Sequence, residues 1–144
     1  MKKYYLAGPM SGKPQFNFQT FFEVAAKLRS QHYGIISPAE LDDEETRAAA
    51  LASPDGAPSK RGKVMCNKQT WGDFLARDVK IIADQVQGII FLPDWEKSRG
   101  ARLEAMVGLL QPDFTFLAWH EGEQCAIPIG RITVACIVHV ETVK

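Results

Sequence analysis

The chain has 144 residues, 46% of them hydrophobic, and its 17 Lys and Arg are matched by 17 Asp and Glu. This length fits one domain with a single substantial core, and the balanced charge argues against a disordered chain, a membrane protein or a polyanion binder. No apolar run reaches the length of a membrane span or a signal-peptide core, so a cytoplasmic protein is expected, with no membrane partner and nucleic acid disfavoured.

The first run, Lys3-Tyr4-Tyr5-Leu6-Ala7, is β-prone and is stopped by Gly8-Pro9, so it reads as a strand opening into a loop. That loop, Gly8-Pro9-Met10-Ser11-Gly12-Lys13-Pro14, is not a Walker A loop. Its two glycines stand too close together, and Pro14 occupies the place where Ser or Thr would bind magnesium. It is either a plain turn or a place where backbone approaches a ligand.

Helical periodicity follows from Asn17, a plausible N-cap, to about Gln31, with Phe18, Phe21, Phe22, Ala25 and Leu28 on one face. Phe16 either staples onto that face or lines a pocket. A second strand, Tyr33-Gly34-Ile35-Ile36-Ser37-Pro38, completes a βαβ unit. Regularity lapses over residues 41–70, where an acidic run (Asp42, Asp43, Glu44, Glu45) leads through alanines and prolines to a basic one (Lys60, Arg61, Lys63). This excursion is a mobile lid or a surface loop inserted in the domain.

A helix then presents Trp71, Phe74, Leu75, Val79, Ile82 and Ala83, with Ile81 beside them. Asp78 lies mid-helix next to Arg77, as a site residue or as an exposed ion-pair partner. The run Gly88 to Pro93 reads as a buried parallel strand. Beyond it, Asp94-Trp95-Glu96-Lys97 forms a loop, and a helix starts near Ser98 with Leu103, Val107, Leu110 and Met106 expected inward.

Open α/β sheets bind ligands at the carboxyl ends of their strands, and a helix start there offers free N-H groups to an anion. Ser98 is thus an N-cap or an anion ligand, Gly100 a packing point or a place of close approach, and Glu104 a carboxylate on the same helix wall. Trp95 could stack on a flat ligand or cover the helix start at the surface. Residues 113–119 give another strand, 120–130 a loop, and 132–140 a last β-rich run.

Cys66, Cys125 and Cys136 lack C-x-x-C spacing and read as reduced thiols. His32, His120 and His139 are scattered, and no metal or cofactor is expected.

Taken in order, Tyr5 to Gly12, Trp71 to Asp78 and Asp94 to Glu104 resemble the nucleoside 2-deoxyribosyltransferase superfamily. The chain is similar within it to small phage-associated members and to deoxynucleoside 5'-monophosphate N-glycosidases. The resemblance implies a single-domain, flavodoxin-like or Rossmann-like three-layer α/β sandwich with a mostly parallel sheet of about five strands. It also implies cleavage of the bond between base and sugar, by hydrolysis or by transfer to another base.

By the same resemblance Glu104 is the nucleophile, Tyr5 orients it, Asp78 stands near the base and Ser98 holds a 5'-phosphate. Gly8, Pro9, Met10, Ser11, Phe16, Asp94, Trp95 and Gly100 are the other residues expected around the substrate. The first loop departs from the monophosphate enzymes, with Pro9 and Ser11 where they carry a serine and an arginine; Ser11, Lys13 or Arg99 are the available replacements. The expected partners are a nucleoside or nucleotide and further copies of the chain, as a homodimer or larger assembly. The alternative reading is a nucleotide-binding or sensing module without turnover.

Overall fold

A computed structural model describes residues 1–56, 64–66 and 69–143. The basic run Lys60, Arg61 and Lys63 lies outside the described residues. The central sheet has the order β2-β1-β5-β6-β7, built from β1 (Lys3–Ala7), β2 (Gly34–Ile36), β5 (Gly88–Phe91), β6 (Thr115–His120) and β7 (Cys125–Pro128). The pairs β1–β2, β1–β5 and β5–β6 are parallel, and β7 closes the edge antiparallel to β6. Tyr5 therefore lies between Ile36 and Ile89 in the middle of the sheet.

Alternation along these strands divides the core in two. On one face Tyr4, Leu6, Ile90, Leu117 and Trp119 meet α1 (Phe18–Ser30), which buries Phe18, Phe21, Val24, Ala25 and Leu28. On the other, Tyr5, Ala7, Ile89, Phe91 and Phe116 meet α3 (Trp71–Asp84), α4 (Arg99–Leu109) and α5 (Arg131–Val143). The result is the expected three-layer α/β arrangement with a mostly parallel five-stranded sheet. Among the described residues no helix is long and apolar enough to cross a membrane.

The irregular stretch from residue 41 is more ordered than its composition suggests. Asp43 caps α2 (Glu44–Ala52) by accepting from the Thr46 N-H at 2.7 Å, and Glu44 and Glu45 suit the positive end of the helix dipole. A short antiparallel pair, β3 (Val64–Cys66) and β4 (Gln69–Thr70), then leads into α3, whose start is fixed by a capping box between Thr70 and Asp73.

Several expectations are corrected. The β-rich run 132–140 is helical, because Val134 and Val138, one turn apart, are buried against the sheet, and Arg131 fastens the first turn by donating to the Leu109 and Phe114 carbonyls. Packing outweighs the β-preference of its branched side chains there. The loop at 120–130 contains β7, which pairs with β6.

Asn17 does not cap α1 through its side chain. Gln15, Phe16 and Asn17 all have left-handed backbones, and Asn17 Nδ2 donates instead to the Pro9 carbonyl at 3.0 Å. In α3, Ala83 is exposed while Ile81 is buried beside Ile82.

The largest correction concerns α4. Its inward face is Ala101, Glu104, Ala105 and Gly108, while Leu103, Met106 and Leu110 face outward. Small residues let this helix lie close on the sheet: a Cβ on Gly108 would stand 2.7 Å from the Phe114 ring. Close approach of the helix is what carries Glu104 inside.

Candidate functional site

β1 and β5 lie side by side, and from their carboxyl ends the chain departs in opposite senses, toward α1 and β2 on one face and toward α4 and β6 on the other. This is the switch point at which open α/β sheets bind ligands. The first loop emerges from β1, and the 94–98 loop and the start of α4 follow β5.

Beneath these strand ends, Tyr5 from β1, Asp78 from α3 and Glu104 from α4 converge. Tyr5 is 0% exposed, Glu104 6% and Asp78 8%. The Tyr5 hydroxyl is directed at Glu104 and lies beside Asp78, but it closes a hydrogen bond of good geometry with neither. Burial, reinforced by both carboxylates, drives its pKa well above the ordinary phenol value, so it stays protonated and can donate.

Burial also lifts Glu104 well above the usual carboxylate range, and the negative charge of Asp78 adds to the effect while Tyr5 and Arg77 oppose it. Asp78 is raised as well, by burial first, against the pull of Arg77. Two buried carboxyls that sense each other in this way titrate as a pair and resist both being charged at once.

Asp78 is therefore not an exposed partner of a surface cation. Arg77 Nε donates to its Oδ1 at 2.8 Å, and Arg77 Nη1 reaches Asp42 Oδ1 at 2.5 Å from the segment before α2. The guanidinium also lies over the Phe74 ring, 5.4 Å from its centroid.

The other expected residues lie on the loops and helix start that follow β1 and β5. Ser98 accepts from the Ala101 N-H at 3.2 Å and so caps α4, its hydroxyl hydrogen remaining available to donate. Gly100 follows in the first turn with ordinary room for a methyl group. Arg99 lies over the Trp71 ring at 4.9 Å.

Gly8 is tied to packing: a Cβ there would stand 2.7 Å from Leu92 Cβ. Pro9 is buried and Ser11 exposed, while Met10 and Phe16 pack toward the α1 side of the sheet, away from the carboxylates. Asp94, exposed and left-handed, pairs with Lys13 at 3.7 Å and Lys97 at 3.9 Å, bridging the loops after β1 and β5. Trp95 is neither at the surface nor free on both faces: it is buried, with its ring stacked on Phe91 at 3.9 Å.

The excursion is anchored to this site at two places. Asp42 binds Arg77 at its start, and beyond α2 the Gly56 carbonyl accepts from the Gly12 N-H while the Ser53 carbonyl accepts from that of Gln15. Among the described residues no group of three or more His, Cys, Asp or Glu is placed to hold a metal ion.

A family model described as a domain of unknown function, DUF4406, matches residues 2–109. The chain belongs to the DUF4406 family. The matched DUF4406 segment contains β1, the first loop, Asp42, α3 and α4, and so every residue of the carboxylate site, whereas β6, β7 and α5 lie beyond it. No curated protein and no solved structure matches this DUF4406 chain.

Asp42 joins the site in a way that the sequence does not mark. It stood in an acidic run 35 positions before Arg77, and no periodicity links a loop residue to a helix so far along the chain. The unbroken Arg77-Asp78 pair inside an apolar helical pattern was the available hint.

Proposed function

We propose that this chain cleaves the N-glycosidic bond of a nucleoside or deoxynucleoside, or of its 5'-monophosphate, through a covalent glycosyl-Glu104 intermediate. The observation that carries the reading is the convergence of Tyr5, Asp78 and Glu104 beneath the switch point. In its ionised form Glu104 attacks the anomeric carbon, and an ester bond forms as the carbon-nitrogen bond breaks and its electron pair leaves with the base. The attack uses the state in which the pair's proton has moved from Glu104, which the fold raises further, to Asp78, and Asp78 then passes it to the departing base. Water or a second base then attacks the same carbon and releases the Glu104 carboxylate.

Tyr5, protonated and directed at Glu104, is the donor that closes on the carboxylate once it ionises, and the first turn of α4, with Ser98 and Arg99, receives the 5' end of the substrate. The polar face of that turn suits either a hydroxyl or a phosphate. We further propose that the active form is a homodimer or larger assembly in the cytoplasm. Leu103 and Met106 on α4, Leu110 just past its end, and Ile132, Cys136 and Val140 on α5 expose apolar surface on neighbouring helices, and no net charge keeps two copies apart.

Base release followed by chromatography tests the activity, with deoxynucleosides and their 5'-monophosphates offered with and without a second free base. Release is expected from the wild type and not from Glu104→Ala. Turnover retained by that variant would remove Glu104 from the mechanism. Tight nucleotide binding by the wild type with no base release favours the sensing module.

A further inference from the structure

Arg77 makes two carboxylate contacts through different nitrogens: Nε to Asp78 and Nη1 to Asp42. The Asp42 side chain is almost wholly buried, and Arg77 is itself largely covered, with Phe74 beneath its plane. A guanidinium engaged at one edge only is free to turn about its long side chain. Engaged at two edges, with a ring below, it has one orientation.

We propose that Asp42 is a positioning residue for the carboxylate pair: by holding Arg77 Nη1 it keeps Nε on Asp78 and so sets how the shared proton is divided between Asp78 and Glu104. This rests on the glycosidase reading for its catalytic consequence, though not for its effect on titration. The groups that act on the pair are Tyr5 from β1, Arg77 from α3 and Asp42 from the segment before α2; Asp43 and Arg47 act in turn on Asp42. Among them Arg77 is the cation in direct contact with the pair. Its contact favours the charged form of Asp78 and thereby makes Asp78 a stronger acid toward a departing base.

Asparagine and alanine separate positioning from charge. Asp42→Asn removes the negative charge but leaves an oxygen to accept from Nη1, whereas Asp42→Ala removes both. Loss of the negative charge alone lowers the pair's apparent pKa values or leaves them unchanged. Loss of the anchor releases Arg77 and raises them, because the anionic forms lose their cation.

The experiment is a carboxyl-carbon NMR titration of the ligand-free protein, wild type and both variants, with the pH profile of kcat/KM measured alongside. Asp42→Ala should raise the lower apparent pKa of the pair by about one unit, a tenfold change in proton affinity, and displace the acid limb of the pH profile equally. Asp42→Asn should not raise it and should keep kcat within about threefold of wild type, while Asp42→Ala loses about tenfold. Identical titration of the two variants overturns the proposal.

The titration shift without base release from any form would retain the positioning role and refute the glycosidase reading. Base release with no difference between the variants would do the reverse. Should Asp42→Ala fail to fold, Asp42→Ser supplies the same test, since its shorter side chain stays polar but no longer reaches Nη1, and a titration identical to that of Asp42→Asn overturns the proposal.

Discussion

Glu104→Gln keeps the size of the side chain and removes its ionisation, and the variant is expected to be more stable than the wild type while losing turnover. The fold raises the Glu104 pKa well above the value of an unfolded chain, so between those two values the folded state binds more protons than the unfolded one. Wild-type stability therefore falls as pH rises through that window and stays reduced above it. Below the unfolded value, near pH 4.3, both states are protonated and the two proteins should match.

Each unit of elevation corresponds to about 1.4 kcal/mol, or roughly 3–6 °C in Tm for a domain of this size. The assay is thermal or urea unfolding of both proteins from about pH 4 to about pH 8, where the difference should grow by at least one such step. A glutamine variant equal to or less stable than the wild type at the upper end would refute the argument that Glu104 is held inside at an electrostatic cost.

Trp95→Ala should lower stability by about 3–5 kcal/mol, since the ring is buried on Phe91, and a loss under about 1 kcal/mol in urea unfolding would contradict that placement. Ser98→Ala should cost about 1 kcal/mol from the lost α4 cap. If the hydroxyl also holds a phosphate, KM should rise for monophosphates and not for nucleosides, and equal changes in both leave Ser98 a cap alone. Leu110 and Ile132, 85% and 81% exposed, should be interface residues of the proposed assembly. Changing both to Glu should then reduce the mass seen by light scattering to that of one chain, and a wild type that is already monomeric would contradict the oligomer.

The elements that sequence alone located are those whose neighbours in the chain decide their state. β1 and β5 were legible as short apolar runs ended by Gly or Pro, α1 and α3 as periodic faces, and the start of α4 as a cap residue after a loop. The residue types at the site were legible too, through the order of the Tyr5, Asp78 and Ser98-to-Glu104 stretches.

Tertiary packing decided the rest. The run 132–140 is β-prone by composition and helical because Val134 and Val138 find the sheet one turn apart, which no local preference encodes. The facing of α4 runs against side-chain bulk, with small residues inward and leucine and methionine outward. Ala101, Ala105 and Gly108 bring that helix closer to the sheet than leucines would, and closeness puts Glu104 inside.

The clamp of Asp42 on Arg77 joins a loop to a helix across 35 positions of chain. Sequence thus determined which charged groups this protein carries and on which elements, while only the folded chain decided which of them lose their water. Ionisation behaviour follows desolvation and the distance to other charges, and both are properties of the packed structure.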